Sequence, residues 1–445
     1  ETAPLICSEE KGQGLFFVIL TAVHDDSNED LRTAAIELLG ETVQSFGANL
    51  CESFIAPDIE SLVDSESVKL RKATAQILPK VARVMRRESF ISRLAPVYLK
   101  FCNDSIWSIR KAAIEGLSEI LKVSSESLKT ELIEVMKKGL KDKSRWVKLT
   151  AQQQLGPFIV ELGKGVEDEI LQAYLKLSAS DSESELKSSC AFYFPGVLVT
   201  LGAEAWTTLQ PTFNQMCLDE QIKVRKSLAA SMHELGRILG SSQAELDLTR
   251  AFESFMKDRD ASVRLTALLN LGNFLETISV ASRELFLNDL NYFVKQTDNW
   301  RLREVVARQM TKLATLFSLE ATYSVLLPLA MSVALDKVGA VRRSGAPGLG
   351  PILARLHFEK EEWGVELGSQ LKELAESQSY FERQTFVQGC SLVTTSPVFT
   401  SILSENFAKL ADDPVTNVRL CVAQVVKSTL EVSPSDYWTK LAKKL

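Results

Sequence analysis

The sequence has little of what most chemistry needs. Its 445 residues hold three histidines, His24, His233 and His357, each in a distant stretch. Metal sites built from His and Cys gather several ligands close together, and neither such a cluster nor a paired-Cys spacing is present. The glycine-bearing segment with Gly345, Gly348 and Gly350 lacks the Lys-Ser/Thr of a phosphate loop and follows no strand pattern. Close packing of a bent helix accounts for it. Nucleophile-elbow patterns are missing as well. These absences argue against an enzyme, and no cofactor or metal is expected.

No run of about 18 apolar residues occurs, so no membrane span is expected. A net charge of -6, without any block of Lys and Arg, argues against nucleic acid as the main partner, since displacing counterions from phosphates needs local positive charge. Seven dispersed cysteines, an odd number, fit reduced and mostly buried thiols in a cytoplasmic or nuclear compartment. The chain starts at Glu1 without a methionine or signal peptide and is expected to be a piece of a longer protein.

What is present is a repeat. A base preceded by an aliphatic residue recurs at Arg32, Arg71, Arg110, Lys148, Lys187, Arg225, Arg264, Arg303, Arg342, Arg383 and Arg419, in steps of 36 to 41 residues. Only Glu382, before Arg383, breaks the aliphatic rule. An aspartate stands six residues before the base in eight of the eleven units: Asp26, Asp104, Asp142, Asp181, Asp219, Asp258, Asp336 and Asp413. Prolines hold the register too. Pro57, Pro96, Pro211 and Pro328 lie fourteen residues before a base, and Pro79, Pro157, Pro195 and Pro351 eight or nine after one. A proline within a helical pattern bends or breaks it, so the unit reads as helix, turn, helix with a bend in each helix.

The third unit shows the helical period directly. Ile91, Leu94, Tyr98 and Phe101 form one apolar stripe, and Ile109, Ala113, Leu117 and Ile120 the next. No segment alternates with period two between hairpin turns, so almost no strand is expected. The predicted fold is all-α, an α-α superhelix of about eleven two-helix units, with each apolar face covered by its neighbours. A linker at Gly163-Lys164-Gly165 suggests N-terminal repeats over 1–162 and C-terminal repeats over 163–445 of one continuous array. Asp at the start of the second helix can accept from backbone N–H groups or reach a base of its own or the neighbouring unit. The acids and bases therefore read as a ladder along the stack.

Function is sought in what the repeat does not require. Trp107 precedes Arg110 by three residues, Arg145 and Trp146 stand just before Val147 and Lys148, and Trp300 and Arg301 occupy the equivalent place before Leu302 and Arg303. A tryptophan in a short polar turn is poorly placed for its own core, and Trp and Arg dominate protein–protein hot spots. The alternative is an indole folded back as a lid over the neighbouring helix. Trp206, Trp363 and Trp438 lie within helical patterns and are expected to pack. Ser178 to Glu185 is an acidic, serine-rich turn, open to phosphorylation or merely solvated.

A 39-residue unit with Asp, aliphatic-Arg and a mid-helix proline at these offsets resembles the HEAT repeat. The turns NDSIWSIRKAA, DKSRWVK and TDNWRLRE resemble those of protein phosphatase 2A-type scaffold subunits. The stretches SRWVKLTAQQQLGPFI, CAFYFPGVLVTLG, KVRKSLAASMHELGRILG and DDPVTNVRLCVAQ are similar to the protein phosphatase 4 regulatory subunit family. The resemblance spans roughly residues 100 to 430. It implies a non-catalytic subunit that binds a Ser/Thr protein phosphatase catalytic subunit and directs it to substrate proteins, with catalysis and metals in the partner. It also implies that Trp300 and Arg301, and in part Arg145 and Trp146, face partners, while Trp107 is a partner-binding candidate from its turn position. Members often carry a long acidic insert after the LGPFI stretch and further repeats upstream. Other helical-repeat proteins are rivals: a nuclear transport receptor-like adaptor, a nucleic-acid clamp, or an iron-binding hydroxylase, which would use several His-Glu pairs where this chain has only His233-Glu234.

Overall fold

Each repeat folds as two antiparallel helices because its apolar residues fall on one face of each. The structure, a computed structural model, describes residues 9–163, 165–179, 182–295 and 298–444, with side chains from Gly14 onward. Those residues contain helices and turns and no strand. They form two compact units, Glu1–Val224 and Arg225–Leu445, the division falling within the helix Ile222–Leu239. The division lies away from the Gly163 linker, where the chain leaves the helix Arg145–Leu162 through Gly163 at a φ of 76°, a region that favours glycine.

In the third repeat the first helix is Arg87–Cys102, and the second is Trp107–Glu115 continued as Leu117–Val123. Leu94, Tyr98 and Phe101 of the first stripe and all four residues of the second are fully buried. The Tyr98 hydroxyl donates to the Ala113 carbonyl across the pair at 2.7 Å, and Tyr174 does the same to Cys190 at 2.6 Å in the fifth repeat. Burial also pushes the thiols of Cys102 and Cys190 up to about 12, so they remain protonated and inert.

The proline positions fall within or at the start of helical segments, as the repeat register requires. Pro96 and Pro211 lie inside first helices, and Pro79, Pro157 and Pro195 inside second helices. Before Pro57 and Pro328 the chain widens to five-residue π turns, Cys51–Ile55 and Thr322–Leu326, which accommodate a residue that cannot donate.

The third, seventh and eighth repeats have no proline in the second helix, yet they bend. Gly116, Asn270 and Gln309, each six residues after the base, adopt φ near -95° and ψ near 0° and interrupt the helix. The Gln309 side chain serves the break in the preceding repeat. It accepts from the Gly272 N–H at 2.8 Å and donates to the Leu268 carbonyl at 2.5 Å. At Gly116 the requirement is room, since a Cβ there would lie 2.1 Å from the Pro79 ring of the preceding repeat.

The acids and bases form the expected ladder, and it joins neighbours. Arg71 pairs with Asp104 at 2.9 Å, Arg110 with Asp142 at 2.8 Å and Lys187 with Asp219 at 3.3 Å in the first unit. In the second unit Arg225 pairs with Asp258 at 2.7 Å, Arg303 with Asp336 at 2.6 Å and Arg383 with Asp413 at 2.6 Å. In each case the aspartate belongs to the following repeat. Its other task is local: Oδ1 of Asp104, Asp142, Asp258, Asp336 and Asp413 accepts the N–H two residues on, at 2.7–2.8 Å. The arginine keeps a further nitrogen for its own turn, as when Arg110 Nη1 donates to the carbonyls of Asp104 and Ser105 at 2.8 and 3.0 Å.

The ladder is interrupted where the following repeat lacks the aspartate. Arg32 faces a second repeat with Ser65 in that position, and turns to its own Asp26 at 2.6 Å. Arg264 and Arg342 precede repeats with Thr297 and Ser377 there, and neither makes an ion pair among the described residues. Asp181, the expected partner of Lys148, lies outside the described residues.

Two outcomes follow from the burial of these rungs. The side chains of Arg303 and Asp336 are 5% and 9% exposed. Removing one member of such a pair leaves the other charge buried and costs about 3–5 kcal/mol. Arg303→Met is therefore expected to lower the urea midpoint and to speed amide exchange in the helices around Asp336. The second outcome concerns pH. Burial alone would raise the Asp336 carboxyl, but Arg303 and the Val338 N–H outweigh it, and the net shift is downward. A carboxylate lowered on folding contributes stability above its unfolded pKa of about 3.9 and loses it as pH falls through the folded value. The stability gap between wild type and Arg303→Met should thus be full above about pH 5 and close below about pH 4, as read by urea unfolding across pH.

Candidate protein-binding surface

The candidate residues sit at the starts of second helices, at the same offset in each repeat. The rungs Arg71–Asp104 and Arg110–Asp142 lead into the Trp107 and Arg145 helices, and Arg303, in the first turn of the Trp300 helix, is held by Asp336. Trp107 opens the helix Trp107–Glu115, Arg145 opens Arg145–Leu162, and Trp300 opens Trp300–Arg308. At the first turn of the third and eighth second helices the base three residues on, Arg110 or Arg303, turns inward to its rung, whereas Lys148 of the fourth is exposed. A polar N-cap completes the geometry at Trp300, where the Asn299 side chain accepts from the Arg301 N–H at 3.1 Å.

Within the first unit, Trp107 and the Arg145–Trp146 pair stand on successive turns. Trp107 is 44% exposed and Trp146 52%. Neither indole is a lid. Arg145 lies 5.9 Å from the Trp146 ring and pairs with Glu183 in the next turn at 2.9 Å, both side chains largely exposed. An ion pair this exposed contributes under about 1 kcal/mol and chiefly orients the guanidinium. Glu183 belongs to the acidic, serine-rich turn, of which Ser180 and Asp181 lie outside the described residues. Between the third and fourth turns runs a groove of about 440 Å³, lined by Asn103, Ser105, Lys138, Lys141 and Lys143 together with the Arg110–Asp142 rung.

Within the second unit, Arg301 is exposed and its guanidinium stacks 4.7 Å from the half-buried Trp300 ring. A stacked Trp–Arg pair presents a flat, weakly hydrated surface with free donors. Beside it lies a groove of about 600 Å³ lined by Met256, Arg264, Tyr292, Phe293, Asn299 and Leu302. Tyr292 is 51% exposed there. This groove and Tyr292 were not anticipated from sequence. The available signal was Thr297, which stands where a ladder aspartate would otherwise meet Arg264.

The remaining tryptophans pack, as expected. Trp206 is 3% and Trp438 5% exposed, and Trp363 stacks on Tyr323 at 4.2 Å with Lys360 Nζ 3.7 Å from its ring. Burial lowers the pKa of His233, and among the described residues no three His, Cys, Asp or Glu side chains gather in a way that could hold a metal ion. Nor is any described helix long and apolar enough to cross a membrane.

The two kinds of tryptophan should separate in stability. Trp146→Ala and Trp107→Ala are expected to stay within about 0.5 kcal/mol of wild type, whereas Trp206→Ala should cost about 3–5 kcal/mol. Urea unfolding monitored by circular dichroism checks both.

Comparison with known proteins bears on this surface. Residues 190–293 match the family model described as the protein phosphatase 4 regulatory subunit 1 middle domain, and residues 94–124 match the HEAT repeat. The chain is 33% identical over 274 residues to serine/threonine-protein phosphatase 4 regulatory subunit 1 of Rattus norvegicus, a match that takes in 59% of this chain and 29% of that protein. It is 22% identical to regulatory subunit 4 of Mus musculus over 91% of this chain and 52% of that protein. The chain thus spans well under two thirds of these relatives. Among solved structures, the Kap95p chain of a complex with RanGDP is similar at a TM-score of 0.61 and 13% identity, covering 98% of this chain and 60% of that one. At that identity the likeness is one of fold alone, and it is consistent with an all-α HEAT superhelix.

Proposed function

We propose that this chain, a HEAT-repeat relative of the protein phosphatase 4 regulatory subunits, is a non-catalytic subunit that binds a Ser/Thr phosphatase catalytic subunit. The observation that carries the reading is the display of Trp–Arg pairs at one repeat offset, Arg145–Trp146 and Trp300–Arg301, on helix starts fixed by buried rungs. Such residues are expensive to expose without a partner and are the types that anchor interfaces. Similarity to regulatory subunits names the class of partner.

The mechanism is positional. The solenoid turns grip the catalytic subunit, and the rest of the surface receives substrate proteins, raising their effective concentration at a metal centre carried by the partner. Each indole and its arginine lose water on docking, so the affinity concentrates in a few residues rather than in the whole contact area. The cytoplasm and nucleus are the compartments where such a complex would work.

Co-purification tests the reading. Wild-type chain is expected to recover a phosphatase catalytic subunit from lysate, and Trp300→Ala with Arg301→Ala to lose most of it. If the double variant recovers the phosphatase equally while Arg145→Ala with Trp146→Ala does not, the contact belongs to the first unit's turns. Absence of phosphatase from the wild-type sample would refute the function.

A further inference from the structure

The tenth repeat carries Ser377 where the ladder needs an aspartate, which leaves Arg342 of the ninth repeat without a carboxylate. Arg342 keeps the grip on its own turn, donating to the Asp336 and Lys337 carbonyls at 2.7 and 3.2 Å. In place of an acid, its guanidinium lies 4.5 Å from the Phe381 ring of the tenth repeat. Arg343, next to it, is exposed and also has no acidic partner among the described residues. Both line a groove of about 390 Å³ that crosses the second helices of three successive repeats, Gly339–Gly345, Tyr380–Cys390 and Thr416–Val432.

The lining of this groove has a definite chemistry. No acidic side chain contributes to it, and its two charges are both positive. Glu304, which accepts from Ser344 nearby, is already paired with Arg308 at 2.6 Å. At the far end Leu420 is 55% exposed, and Phe381 is 43% exposed in the middle. The carboxamides of Gln388 and Gln424 also line the groove, and a carboxamide offers both a donor and an acceptor to a peptide backbone.

We propose that this groove binds an extended acidic segment of a partner protein. Three neighbouring helices at about 8–10 Å spacing span roughly 20 Å, which is about six residues of extended chain at 3.3 Å each. A carboxylate of the segment takes the place of the missing ladder aspartate between Arg342 and Arg343, and an apolar side chain lies against Leu420. An arginine fork donates to a carboxylate in two parallel bonds, so the acidic position is fixed in direction as well as charge. Two cations flanked by exposed Phe and Leu suit a peptide better than nucleic acid, whose affinity grows with the number of phosphates neutralised. The site stands apart from the Trp300 turn and does not depend on a phosphatase partner.

Fluorescence anisotropy of the isolated chain tests it with a labelled octapeptide carrying two adjacent glutamates and a leucine three residues on. The glutamate peptide is expected to bind at least tenfold tighter than its glutamine and lysine counterparts and to weaken as salt is raised. Arg343→Gln, an exposed position with no internal partner, should weaken it severalfold with the circular dichroism unchanged. Adding Arg342→Gln should abolish binding, and Leu420→Glu should do so while both arginines remain. Equal binding of the glutamate and glutamine peptides, or wild-type affinity in Arg343→Gln and Leu420→Glu, would overturn the proposal. Binding of a phosphoserine peptide with none of the glutamate peptide would also overturn it, reassigning the groove to phosphate.

Discussion

A guanidinium that holds its own turn through one nitrogen and the next repeat's aspartate through two others fixes how each helix pair sits on its neighbour. Apolar burial drives the repeats together, but it is non-directional and would accept many registers. The Arg–Asp rung accepts one. With both side chains mostly buried, as at Arg225–Asp258 and Arg303–Asp336, a shifted register would strand a charge in the interior. The net stability such a pair adds over an apolar substitute is small, and its main effect is to penalise the alternatives. The aspartate's second bond, to the N–H two residues on, ties that register to the start of the second helix.

Everything placed on that helix start inherits its rigidity. Trp107, Arg145–Trp146 and Trp300–Arg301 need little support of their own, because the aliphatic residues behind them, Ile109, Val147 and Leu302, are buried in the stack, and behind Trp107 and Trp300 the bases Arg110 and Arg303 are held by their rungs. A docking residue held this way loses little conformational freedom on binding. The rungs that are missing matter in the same terms. Where Thr297 or Ser377 replaces the aspartate, Arg264 and Arg342 line grooves instead of closing a ladder. An omission in a structural pattern thus leaves a charged group positioned but unneutralised.

Much of this was legible in the residues. The period, the eleven units, the helix-turn-helix order and the placing of Pro79, Pro96, Pro157 and Pro195 within helices follow from spacing alone, because each is a local property of the chain. The buried stripe of the third repeat was read nearly residue for residue. Other features were not legible. The bends at Gly116, Asn270 and Gln309 involve three different residue types, and at Asn270 the freed backbone groups are satisfied by a glutamine 39 residues away. Whether an aspartate served its own arginine or the preceding one was open, since both lie within side-chain reach of the turn. Whether Trp146 was exposed or folded back as a lid was also open, since that depends on how the neighbouring repeat packs against the turn.

Fold class, the repeat and the offset at which Trp and Arg depart from it are set by the order of residues alone, since helical periodicity and turn chemistry act over a few positions. Folding in three dimensions settled which repeat each aspartate serves, which tryptophans reach solvent and which arginines are left facing a groove. Those outcomes depend on residues some 30 to 40 positions apart being brought into contact, and only the stacking of one repeat on the next brings them there.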